Sequence, residues 1–126
     1  MNSIKVPISF GELVDKITIL EIKFDAFSGD KRSNCSKELN ELKKIANSLP
    51  VNIDVKFYKE LLLINSELWR IEDQIRSFEK KGIFNDEFVK LARSVYFTND
   101  KRSEIKRKIN TQYNSSFIEE KSYSKY

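Results

Sequence analysis

Apolar residues recur along most of this chain at intervals of three and four, the spacing of a helix that buries one face. The first such run is opened by Ser9-Phe10-Gly11-Glu12. This fits a capping box, with Ser9 as the cap and Glu12 reaching back to it. Ile8 and Leu13 occupy the two staple positions. Phe10, Leu13, Ile17, Leu20, Phe24 and Phe27 then form one stripe, and Ser28-Gly29-Asp30 ends the helix. Ile19, Ile22 and Ala26 lie on the opposite side. A helix that is apolar on two faces is covered on both. It is either central in a bundle or turned toward another subunit.

A second, shorter helix is expected from about Cys35 to Ser48, with Cys35, Leu39, Leu42, Ala46 and Leu49 as its buried stripe. Pro50 stops it, because the residue before a proline is pushed out of the helical region. The third runs from about Asp54 to Lys81. Phe57, Leu61, Ile64, Leu68, Ile71, Ile75 and Phe78 give it three unbroken heptads, the seam of a long hairpin arm. Gly82 caps its end and Asn85 starts a fourth helix, Asp86 to Gln112, so the two must pack antiparallel. Weak helix formers at Val95-Tyr96-Phe97-Thr98 allow a kink there. From about residue 114 the chain is a polar tail carrying Tyr123 and Tyr126. The expected fold is a single all-α domain over residues 1–126. It is an antiparallel helical bundle built on the hairpin of helices 3 and 4, with two shorter N-terminal helices.

Composition agrees with long amphipathic helices. Glycine and proline number 3 and 2, and 33% of residues are charged, which argues against a β-sandwich or a disordered chain. Cys35 is the only cysteine and histidine is absent, so a Cys–His pair and a His/Cys zinc site are excluded. No metal and no cofactor is expected. The longest aliphatic run, Leu61 to Ile64, is far too short to span a membrane, and Met1 to Pro7 has no apolar signal region. The expected location is the cytoplasm, where the sequons at Asn34 and Asn114 are chance matches. The net charge of +4 is supplied by Lys101 to Lys108 alone, with five bases and one acid. At 100° per residue those bases point several ways. They form no stripe for phosphates to track, and nucleic acid is not an expected partner.

The apolar face of helix 4 (Phe88, Leu91, Ala92, Val95, Ile105 and Ile109) also carries Asn99, Arg102 and Lys106. Polar groups on a seam that should be dry must be paired, hydrated or ligand-bound. Folding the hairpin about residues 82–85 sets Arg102 opposite Asn65, Asn99 opposite Leu68 beside Trp69, and Lys106 opposite Leu61. Asn65, Trp69, Glu72, Arg76, Asn99, Arg102 and Lys106 thus form a candidate site midway along the hairpin. In one reading the layer only fixes register, with Arg102 paired to Glu72 and Lys106 reaching solvent. In the other, Arg76, Arg102 and Lys106 outnumber the one nearby acid on helix 3, and a bound carboxylate or phosphate relieves the excess. A second constellation, Arg93, Tyr96 and Asp100 with Arg107 a turn beyond, reads as an exposed ion-pair face or a site.

Gly11 to Lys23 (GELVDKITILEIK), Leu68 to Arg76, Leu91 to Arg102 and Ile118 to Tyr123 resemble the motifs of an uncharacterised domain-of-unknown-function family of short bacterial and phage proteins. The resemblance covers nearly the whole chain. It implies one all-helical domain and brings no activity, substrate or catalytic residue. A looser similarity, of chemistry alone, is to all-helical chorismate mutases, which hold a dicarboxylate with arginines and a lysine. Lys16, Arg76, Arg93 and Arg102 are the residues that suit it. Two functions follow. The first is a non-enzymatic interaction or assembly module forming a homo-oligomeric helical bundle, resting on the two-faced helix 1 and the tyrosine-bearing tail. The alternative is a small-anion binding protein or enzyme using the polar layer.

Overall fold

The computed structural model describes residues 1–126 and contains four helices and no strand. They are α1 (Phe10–Ala26), α2 (Gly29–Ser48), α3 (Val55–Lys81) and α4 (Asp86–Gln112). The ends of the hairpin are set by local chemistry. Asp54 and Asn85 cap α3 and α4, each side chain accepting a backbone N–H, from Lys56 at 2.8 Å and from Phe88 at 3.0 Å. Gly82 takes φ +67°, and the Gly82 and Ile83 amides donate back to Glu79 and Phe78. Only the left-handed conformation allows that reversal, and glycine adopts it without steric cost. The fourth helix runs unbroken through Val95–Thr98.

The hairpin is the largest packing unit, and α1 lies along its open end against both arms. The second helix packs on α1 alone. Two small cores result. Leu13, Ile17, Leu20 and Leu39 close the contact of α1 with α2, with Cys35, Leu42 and Ala46 filling in as the stripe on α2 requires. Val14, Leu61, Ile105 and Ile109 close the contact of α1 with the hairpin. Phe10 and Tyr113 meet edge to face at 5.0 Å, and the Tyr113 hydroxyl accepts from the Asp54 amide.

Three expectations are corrected. The second helix starts at Gly29, not Cys35. Phe27 ends the first helix in an extended conformation, Ser28 stands at the N-cap position of the next without a side-chain bond, Gly29 takes φ +60°, and Asp30 sits in the first turn. The stop signal therefore spans a single tight corner. Next, the second buried face of α1 is Gly11, Val14, Asp15 and Thr18, while Ile19 and Ile22 are half-buried and Ala26 is exposed. Finally, Glu12 does not reach back to its cap. Ser9 Oγ accepts from the Glu12 amide at 3.1 Å, but the Glu12 carboxylate crosses to α4.

Candidate functional site

Gly11, Asp15 and Thr18 share one side of α1 at spacings of four and three, so they face the hairpin together. The missing side chain at Gly11 lets α1 approach α4. A Cβ there would stand 2.6 Å from the Lys106 carbonyl oxygen. The Gly11 amide, an orphan donor in the first helical turn, is taken by Asn110 Oδ1 at 2.7 Å. That approach carries Asp15 into the polar layer, where it is 1% exposed.

Asp15 is the hub. Arg102 donates to it with two nitrogens, Nε to Oδ1 at 2.9 Å and Nη2 to Oδ2. Asn65 Nδ2 donates to Asp15 Oδ1 and to Thr18 Oγ1, each at 2.9 Å, and Thr18 donates to the Asp15 carbonyl at 2.7 Å. One turn along α4, Lys106 Nζ donates to Glu12 at 2.7 Å and to Glu119 of the tail at 3.0 Å, with Asp15 3.9 Å away. No buried side-chain polar atom is left without a partner. The hydrogen bonds to Asp15 raise the Arg102 pKa above its ordinary value, against the opposing effect of burial. Burial would lower the Lys106 ammonium, but its bonds to Glu12 and Glu119 outweigh that and raise it. Lys121 first, and Lys106 next, hold the Glu119 carboxyl down to about 2.

Of the residues proposed from sequence, Asn65, Arg102 and Lys106 do meet in one layer. Asn99 stands just above it, half-buried in the wall of a cleft. Trp69 stacks on no guanidinium; its ring meets Phe27 edge-on at 5.8 Å. Glu72 and Arg76 pair with each other at 3.8 Å, both exposed, with no partner in the layer. The expected excess of cation is absent, because Glu12, Asp15 and Glu119 supply three carboxylates to Arg102 and Lys106. Two of those acids come from α1 and one from the tail, which pairing the hairpin by itself does not reveal. The signal on α1 was present in the spacing of Gly11, Asp15 and Thr18. In the second constellation Arg93 Nε donates to the Tyr96 hydroxyl at 3.4 Å, while Arg107 turns to Glu120 of the tail. No group of three or more carboxylates or thiols converges as a metal would need.

Beyond Ser115 the tail runs back along α4. Glu119 and Glu120 hold it to Lys106 and Arg107, and Tyr126 packs its ring against Tyr96 and Phe97 at 5.3 and 4.8 Å. Between tail and helix lies a cleft of about 490 Å³, lined by Tyr96, Asn99, Arg102, Lys106, Glu119 and Tyr126 among others.

The far half of the hairpin is different in kind. From Glu72 to Phe97 no residue is buried. Ile75, Phe78, Phe88, Leu91, Ala92 and Val95 are half-buried in the seam, and Phe84 and Val89 are 59% and 51% exposed. No helix is long and apolar enough to cross a membrane.

A family model described as a family of unknown function (DUF6165) matches residues 4–126. No curated protein and no solved structure matches the chain.

Proposed function

We propose a role on one premise: the chain belongs to this family of unknown function, so the role is read from its own geometry. It is a non-enzymatic assembly module that pairs with a second copy of itself through the far half of the α3–α4 hairpin. The observation that carries this is the stretch from Glu72 to Phe97, whose heptad seam continues while none of its residues is buried. Two helices bury too little by themselves to hold such a seam. Four, from two antiparallel arms, make a bundle core. The charges favour a like partner. Glu72, Asp73, Glu79, Asp86 and Glu87 balance Arg76, Lys80, Lys81, Lys90 and Arg93, so two arms meet without net repulsion. The sequence offered the first helix and the tail, not the hairpin arm, as contact surfaces; both are engaged within the chain.

We assign the module to the cytoplasm; a lone free thiol at Cys35 is consistent with a reducing compartment. Nucleic acid is not its partner. Arg102 and Lys106 are spent on the internal network and Arg107 on Glu120.

Sedimentation equilibrium tests the assembly. The wild type is expected as a dimer at micromolar concentration, and Val89→Glu and Phe84→Glu as monomers. Both side chains are exposed, so neither change costs the single chain its core. A wild type that stays monomeric at millimolar concentration refutes the reading.

A further inference from the structure

The first helix covers one face of the hairpin and stops well short of its tip. Along α3 it is met by Tyr58, Asn65 and Trp69, through Glu21, Asp15 and Phe27 in turn. Along α4 it is met by Asn110, Lys106 and Arg102. On each arm these residues follow the three- and four-residue steps of a single helix face. Past Phe27 both stripes continue uncovered toward the tip. The next members are Glu72, Arg76 and Glu79 on α3, and Val95, Ala92 and Phe88 on α4. From Glu72 to the turn at Gly82 this uncovered length is about 17 Å at the rise of a helix. The opposite face of the arm is polar instead, with Gln74, Ser77, Glu87, Lys90 and Ser94 beside the seam.

We infer, resting on the assembly proposed above, that the second copy lays its arm on this α1-side face, antiparallel to the arm it covers and end to end with α1. Direction follows from thickness. The second helix packs on α1 alone, so hairpin, α1 and α2 are stacked in that order. Packed helices keep their axes about 8–10 Å apart. Two copies laid on this face with their tips level would set α1 against α1 and hold the arms about 25 Å apart or more, beyond contact. Turned end for end, each copy's α1 lies past the other's tip, and the arms meet.

Register follows from charge. With tips level, Arg76 would face Arg76 and Glu79 would face Glu79. In the antiparallel arrangement Arg76 of each copy faces Glu79 of the other, and the two pairs set a two-fold axis between Ser77 and Phe78. Within its own chain Arg76 has only the exposed Glu72, at 3.8 Å. Across the hairpin the same axis passes between Val89 and Lys90. Val89, 51% exposed in the single chain, then packs on its own mate. Phe84 at the tip, 59% exposed, falls beside Val95 and Tyr96 of the other copy, where the Tyr126 ring already lies. The tip ends just short of Phe27, so α1 acts as its stop. The two most exposed apolar side chains of the arm thereby gain partners.

Two measurements test this seat. In the first, a Lys81→Cys, Cys35→Ser copy carries a spin label at its tip and is mixed with isotope-labelled wild type. Lys81 is exposed and off the face in question. Amide signals broadened between copies are expected to be strongest at Glu72 to Arg76 and at Leu91 to Val95. In the second, sedimentation equilibrium compares charge variants. Glu79→Arg should weaken the dimer about tenfold, the scale of two exposed ion pairs turned to like charge. Adding Arg76→Glu should restore it. Both residues are exposed, so the single chain keeps its core. A dimer whose broadening is strongest at Gly82 to Asp86, or one indifferent to Glu79→Arg, overturns the seat and leaves the assembly itself standing. A wild type that is monomeric at millimolar concentration, with no broadening between copies, overturns both.

Discussion

At the scale of single residues, Asp15 decides the character of the polar layer. A carboxylate 1% exposed is tolerable only because Arg102, Asn65 and the nearby Lys106 ammonium surround it. Replacing one partner of such a pair costs more than replacing both, since the survivor keeps its desolvation penalty. Arg102→Leu is therefore expected to lower stability by about 3 kcal/mol, and Asp15→Leu with Arg102→Leu by less than the sum of the two single changes. Urea denaturation of the four proteins checks both. An Arg102→Leu protein as stable as the wild type would remove Asp15 as the hub. The sequence located Arg102 and Lys106 correctly, because a charged residue at an apolar position is visible in one helix. It misassigned their partners, because Asp15 belongs to a third helix. Only the close approach permitted at Gly11, 2.6 Å from a backbone oxygen if a Cβ were present, brings that helix near enough.

At the scale of elements, caps and periodicity made the hairpin legible. Asp54, Gly82 and Asn85 act where their side chains and backbone freedom require. The start of α2 was obscured because Ser28-Gly29-Asp30, which reads as a stop, opens α2 directly after Phe27 has ended α1, and residues 30–34 on α2 are exposed and show no apolar stripe. The tail had no period to read, and its docking depends on charges placed by α4. That dependence gives it a pH window. The Glu119 pKa is lowered in the fold from 4.5 to about 2, so its contribution is present above 4.5 and is lost as pH falls toward about 2. The larger part of that effect is the local pair with Lys121 inside the tail; the bond to Lys106 joins Glu120–Arg107 and the Tyr126 ring contacts in holding the tail to α4. The ring signals of Tyr126, packed on Tyr96 and Phe97, should therefore shift toward free values across that window. Glu119→Gln should show them shifted already at neutral pH. Tail signals that moved only with global acid unfolding would place its attachment elsewhere. At the alkaline end the sign reverses. Lys106 is raised, so its contribution is present below 10.5 and is lost as pH rises through its higher folded value.

At the scale of the whole molecule, the two ends of the hairpin are unequally supported. The base holds both cores, the Asp15 network and the ring contact of Phe10 with Tyr113. The far half holds only the seam between two helices. Local opening follows buried apolar contact, so the arm should open at far lower free energy than the base. Hydrogen exchange turns this into a test that sedimentation alone does not provide. In dilute protein, amides of Ile75 to Val95 should exchange quickly, and those of Leu13 to Leu20 and Ile105 to Ile109 slowly. As concentration rises, a dimer paired through the arms should slow exchange in the first set and leave the second unchanged, because association protects only what it covers or must order. Two other outcomes would be informative against this. Protection appearing at Ile19 and Ile22 would move the contact to α1. Arm amides that are slow and independent of concentration would mean that two helices suffice, and the unburied seam would then need no partner at all.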